Sequence, residues 1–474
     1  MSALQPYTGK WDRTLAAHLL NRAAFAPLPA ELTKAVADGF DKTVDGLFAF
    51  EPEIDRLPPP DMPDVPDHPK LQLAGLTPEE RKKKIEELNR TNRDAIDDLR
   101  GWWIRRMLQS RWPLREKLTL FWHGHLTTSA NEVKAAKLLF IQNGFLRHNC
   151  AGNLRTLLTG ISRDPAMLRY LDNNTSRKEH PNENYARELM ELFTLGIGRY
   201  SEDDVKAAAR AFTGWSFRAE EFEFHQREHD FGTKTFLGET GNFDGDDIID
   251  IMLKQPCTAR YIANKLAKFF VSDTPDPDFV ESVAGLLREN GFEFRPTLQA
   301  IFQSEYFYSA KVYRAQVKCP VQLVVGSARL LGVTLDERAL AIAMRTLGQD
   351  LFYPPTVKGW DGGETWINTT SLLQRYNFAG FLLSGEMPGQ VSQKFRFRID
   401  RFGKPQNEIN TIFDKDFADN APRLVDAMIG RMLQASLDAK ARQWLIEQAE
   451  TTRLSERATR VAHLVMSMPD YQLC

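Results

Sequence analysis

Apolar residues recur at helical spacing through most of this chain, and that periodicity restricts the fold more than any other feature. The clearest case follows Thr77-Pro78-Glu79-Glu80, a capping-box start with proline in the first helical position. Ile85, Leu88, Ile96, Leu99, Trp103 and Met107 then form one stripe. This predicts an amphipathic helix to about Ser110 with that stripe against a core. The same spacing predicts helices at 11–25, 29–38, 41–50, 114–121, 132–148, 154–159 and 165–170. It resumes at 247–253, 258–271, 277–289, 297–303, 321–331 and within 418–467. Ser201-Glu202-Asp203-Asp204 is a second N-cap signal, with acids where the helix dipole favours them.

Three stretches break the pattern. Residues 52–69 hold prolines at 52, 58, 59, 60, 63, 66 and 69, which excludes helix and central strand and predicts an extended strap. Between 216 and 244, Phe222, Phe224, Phe231 and Phe236 fall among polar residues and glycines, consistent with a small hairpin or an irregular excursion. Residues 347–370 form a long loop bearing glycines and tryptophans. The expected fold is therefore mainly α: a large, bundle-like multi-helix body with a small β or irregular excursion near 216–245. A chain of 474 residues exceeds one ordinary core of about 250–300 residues. The expected division is one module over 1–385, with a C-terminal helical extension over 386–474 packed on it.

Charge excludes some functions. The 61 basic and 63 acidic residues nearly cancel, so nothing draws the chain generally toward nucleic acid or anionic membrane. The run Arg81-Lys82-Lys83-Lys84 is followed by Glu86-Glu87, the mark of a solvated helix face. Four cysteines, at 150, 257, 319 and 474, lack metal-ligand spacing and imply neither a disulfide framework nor a structural zinc. The first twenty residues have no basic start followed by an apolar block, and no apolar run reaches the roughly 18–20 residues of a membrane span. The expected address is the cytoplasm.

Four places carry candidate chemistry. In Asn182–Leu195, Tyr185, Leu189, Leu192 and Phe193 form an apolar stripe, with Asn184, Arg187 and Glu191 opposite and Glu183 and Glu188 at the edges. Glu183, Arg187 and Glu191 at four-residue spacing would also support any exposed helix, while Glu188 and Glu191 can share a proton or a metal. In Phe121-Trp122-His123-Gly124-His125, two imidazoles two residues apart diverge on a helix but face the same side of an extended backbone. His229-Asp230-Phe231-Gly232-Thr233-Lys234 places an imidazole, a carboxylate and an ammonium within six residues, suited to acid–base work or to a plain turn. Gly359-Trp360-Asp361-Gly362-Gly363-Glu364-Thr365-Trp366 suits a lid or stacking platform, or a loop pinned by two large rings.

At these places the chain resembles the bacterial domain-of-unknown-function 1800 family. The resemblance is carried by His18–Ala23 and by the Phe121–His125, Pro181–Leu189 and Glu191–Gly196 motifs. It continues through Ala208–Trp215, His229–Lys234 and Gly359-Trp360, and covers about residues 11 to 385. It implies a single large helical module to which these polar motifs belong, and it transfers no reaction. Many relatives look exported and are encoded beside proteins resembling sulfatases, which implies a partner protein encoded nearby.

Two functional readings follow. In the first, the chain is an enzyme. Glu188 or Glu191 serves as base or ligand, and His123, His229 and Asp230 serve in proton transfer or ligation. Asn182, Glu183, Asn184, Arg187, Lys234 and Trp360 contact a small polar substrate such as a glycan or peptide. His123 and His125 are the candidate ligands for a divalent metal, the one cofactor considered. In the second, the chain is a non-catalytic binding or assembly protein whose charges form a buried network between helices.

Overall fold

The computed structural model describes residues 4–50, 57–65, 73–385 and 402–474. Its architecture is mainly α, with two small antiparallel ribbons, Trp215–Arg218 with Glu221–Phe224 and Lys234–Phe236 with Glu239–Gly241. Both ribbons fall at the excursion expected near 216–245.

The long helix spans Pro78–Gln109. Its capping box closes as the sequence predicts: the Thr77 hydroxyl accepts from the Glu80 amide, and the Glu80 carboxylate accepts from the Thr77 amide. Ile96, Leu99, Trp103 and Met107 are buried, while Ile85 near the free end is exposed. The proline strap lies partly outside the described residues. Its described part, 57–65, has no helix or strand, and the Leu57 carbonyl accepts from the Trp102 indole.

Two cores organise the helices. One gathers Leu19, Trp122, Tyr185, Phe193, Phe212, Phe270 and Phe302. The other gathers Phe25, Ile96, Trp103, Val324, Phe381, Met428 and Val465. Helices from beyond residue 402 are thus part of the core that includes the long helix. The Pro113–His125 helix serves both, with Leu118 and Trp122 in the first core and Leu120 in the second. No helix among the described residues is long and apolar enough to cross a membrane.

The predicted and observed helices differ instructively in two places. The 114–121 helix continues to His125, so the paired histidines sit on helical backbone. The Asn182–Leu195 helix is α only over Glu183–Glu188 and widens to a π turn over Leu189–Thr194. There the Leu195 amide reaches back to the Met190 carbonyl, and the Thr194 hydroxyl bonds the Leu189 carbonyl at 2.6 Å.

A buried ionic cluster ties three helices together. Glu116, 0% exposed, accepts from Arg106, Arg147 and the Trp103 indole at 2.9–3.2 Å. Burial alone would raise the Glu116 carboxyl, but the two guanidiniums and their hydrogen bonds outweigh it and leave the group below the usual carboxylate range.

Candidate functional site

A cleft of about 1670 Å³ opens where the Pro113–His125 helix, the π turn, the Pro256–Phe270 helix and the 356–366 loop converge. Each wall follows from local sequence. On Pro256–Phe270, Ile262, Ala263, Leu266 and Phe270 are buried in the first core. That leaves Arg260, Tyr261, Asn264, Lys265 and Lys268 to line the cleft.

Glu188, at the end of the α segment, and Glu191 and Leu192 on the π turn face the same space. Turns of this kind recur at functional sites because they re-aim side chains that an α-helix would stack. The Leu192 carbonyl accepts from the Tyr261 hydroxyl at 2.8 Å. Gly196, at φ +88°, lets the tyrosine ring lie against the backbone, since a Cβ there would stand 3.1 Å from the ring. The 356–366 loop seats on the Pro113–His125 helix through Gly359. At φ +84°, a Cβ on that residue would lie 2.2 Å from the Gly124 carbonyl oxygen. This close approach holds Trp360 over the cleft, with its ring 5.8 Å from that of His123.

The electrostatics divide the cleft. Burial, reinforced by the like charge of Glu191, raises the Glu188 carboxyl, with Arg187 opposing. Glu191 accepts from the Tyr200 hydroxyl at 2.5 Å. Cations come from the Pro256–Phe270 helix. Burial lowers the Lys265 ammonium, and the charges of Lys268 and Lys358 lower it further. Lys358 itself is ion-paired with Asp361.

Among the residues singled out from sequence, His125, Glu188, Glu191 and Trp360 come together in the cleft lining. His123 lies behind it, fully buried against Trp103, Phe352 and Trp360, with Nε2 accepting from the Phe352 amide at 3.1 Å. His125 points elsewhere, its Nε2–H donating to the Phe193 carbonyl at 3.0 Å and its Nδ1 without a hydrogen-bond partner among the described residues. Burial pushes both imidazoles down to about 3. Helical backbone therefore separates the two rings that an extended segment would have brought together. Among the described residues no group of three His, Cys, Asp or Glu is placed to hold a metal ion.

The remaining candidates have structural partners outside the cleft lining. Asn182 caps its helix, accepting from the Asn184 amide and donating to the Asp172 carbonyl. Asn184 reaches the Leu171 carbonyl at 3.5 Å. Arg187 bonds both oxygens of Glu202 at 2.8 Å and Glu183 at 3.2 Å. In the 229–234 loop, His229 Nδ1–H donates to the Thr213 carbonyl, Asp230 pairs with Arg210, and the Lys234 ammonium donates to the Asp230 and Gly232 carbonyls. That motif therefore fastens the loop to the helix ending near Thr213.

The Arg187 pairs with Glu183 and Glu202 lie at the surface with the arginine half-buried, unlike a buried charge network between helices. Arg187→Ala is accordingly expected to leave the thermal melting midpoint within error of the parent. A large drop would show that these pairs, and not the Glu116 cluster, lock the helices.

Sequence reasoning missed Lys117, Tyr261, Asn264, Lys265 and Lys268. A signal existed for the helix: Arg260, Asn264, Lys265 and Lys268 share a polar face opposite the apolar stripe. Lys117 also stood out in principle, as a lysine on the face shared by Leu120, Phe121 and Gly124.

The family described as "protein of unknown function (DUF1800)" matches residues 18–473. The chain belongs to the DUF1800 family. The match runs past residue 385 through the C-terminal helices, so in this DUF1800 protein both cores lie within the family's span. No curated protein and no solved structure matches the chain.

Proposed function

We propose that the cleft is the active site of an enzyme performing general acid–base chemistry on an anionic polar substrate of the glycan or peptide class. The observation that carries this reading is a pair of carboxylates in different surroundings, Glu188 and Glu191, in a cleft also lined by Lys265 and Lys268. Neighbouring acids with unlike environments are how a protein assigns a proton donor and an acceptor at one pH. Glu188, half-buried and raised, is the proton-carrying group, and Glu191, oriented by Tyr200, is its accepting partner. Lys265 and Lys268 bind the substrate's negative charge. Trp360 and Trp366 offer flat walls against which a sugar ring packs.

The test is turnover of a panel of acidic oligosaccharides and peptides, followed by mass spectrometry. Glu188→Gln should lower turnover by about 10²–10⁴-fold while the melting midpoint stays unchanged. Turnover equal to the parent's would remove Glu188 from the chemistry. A variant that melts far earlier would favour a structural role for the pair, as in a non-catalytic assembly protein.

A further inference from the structure

The cleft contains a cation whose surroundings differ from those of the other lysines. Lys117 lines the cleft from the Pro113–His125 helix and is only 3% exposed. Its ammonium lies 5.3 Å from the centroid of the Phe25 ring and 5.5 Å from that of Phe269. It makes no hydrogen bond or ion pair with any other described residue. The groups bearing on its charge are Cys319, Cys474 and Arg22, without an aspartate or glutamate among them. Lys318, also buried, differs: its ammonium donates to the Tyr471 carbonyl at 2.7 Å. An ammonium buried without a counter-charge or an acceptor is costly, and the usual relief is loss of its proton. Burial indeed lowers the Lys117 ammonium; Cys319 and Cys474 oppose it, and the positive Arg22 adds to it. A desolvated amine beside another cation is the arrangement that turns lysine into a nucleophile.

We propose that Lys117 is a nucleophilic amine that forms an imine with the carbonyl of an anionic aldehyde or ketone bound in the cleft. The proposal rests on the cleft being the substrate site and names the substrate's reactive group; an acidic sugar in open-chain form carries both a carbonyl and a negative charge. The unprotonated Nζ attacks the carbonyl carbon and a C–N bond forms. The two amine hydrogens leave with the carbonyl oxygen as water, and a C=N bond remains. No oxidant or reductant enters. Lys265 and Lys268, on the facing helix, hold the substrate's anionic group. Phe25 and Phe269 keep the amine out of bulk water.

The experiment is trapping of the full-length protein with glyoxylate and cyanoborohydride at neutral pH, with the carboxymethylated lysines located by peptide mass mapping. An ammonium lowered by burial holds more of its amine free at neutral pH. Lys117 should therefore be modified faster than exposed lysines such as Lys206 and Lys254. In Lys117→Arg the fast adduct should vanish, with surface labelling unchanged. Modification spread over the exposed lysines, with Lys117 untouched, overturns the proposal. Labelling is read in parallel on Glu188→Gln. A fast Lys117 adduct combined with undiminished Glu188→Gln turnover defeats the carboxylate reading alone. Loss of turnover in Glu188→Gln without a Lys117 adduct defeats the amine alone.

Discussion

Glu116→Ala is expected to destabilise the protein by about 3–5 kcal/mol, a larger effect than any single change at the cleft. Arg106 and Arg147 are both nearly inaccessible, and among the described residues Glu116 is a carboxylate paired with both. Removing it leaves two guanidiniums and the Trp103 indole N–H buried with an acceptor gone. Those three donors come from the long helix and from Ala136–His148, while Glu116 sits on the helix that also lines the cleft. The loss therefore strikes the junction of the two cores. Urea unfolding followed by tryptophan fluorescence measures it, with an earlier midpoint at a constant slope. A loss below about 1 kcal/mol, the range of surface pairs, would show that the cluster is not the lock described here.

Acid is expected to destabilise the fold steeply below pH 6.5. His18, His123 and His125 are each pushed from 6.5 to about 3, in every case chiefly by burial. In the unfolded chain these rings take up protons near 6.5; in the folded chain they remain neutral until about 3. Between those values the unfolded state binds more protons, so stability falls as pH falls. Each ring contributes a slope of about 1.4 kcal/mol per pH unit. Asp164 opposes them. Burial raises its carboxyl to about 7, so the folded state binds the extra proton between 3.8 and 7 and gains stability as pH drops through that window. It offsets roughly one ring, so these four groups together contribute a slope on the order of 3 kcal/mol per pH unit near pH 5. Glu116 adds to the loss at still lower pH, as its depressed carboxyl is finally protonated. Urea midpoints from pH 7 to 5 measure the slope, and His123→Gln should remove one ring's share. A flat profile would mean that these histidines are not buried as neutral rings.

The helical architecture was legible because its signals are local. Thr77 and Glu80 announce a helix start within four residues, and the Leu99–Trp103–Met107 spacing declares which face is buried. The excursion near 216–245 was legible from phenylalanines spaced among glycines. The π turn was not, because an apolar stripe at Tyr185, Leu189 and Phe193 reads alike whether the backbone bonds four or five residues back. The His123–His125 pair turned on the same ambiguity, and helical backbone resolved it against a shared orientation. For the cleft, motif chemistry pointed to Glu188, Glu191 and Trp360. The motif His229–Lys234 shows the limit of such inventories: the same three polar types can satisfy one another inside a turn. Lys117 and the Lys265 face were hidden for a different reason. Their significance lies in what they lack or confront across the cleft, and that depends on segments distant in the chain.

The proposed acid–base function requires Glu188 and Glu191 to act as one coupled pair in the cleft. Titrating the Glu188 side-chain carbon by NMR, in the parent and in Glu191→Gln, tests it most directly. The coupled pair predicts a Glu188 carboxyl titrating above the ordinary glutamate range in the parent and moving downward when the Glu191 charge is removed. Ordinary titration in the parent, unmoved by Glu191→Gln, would contradict it.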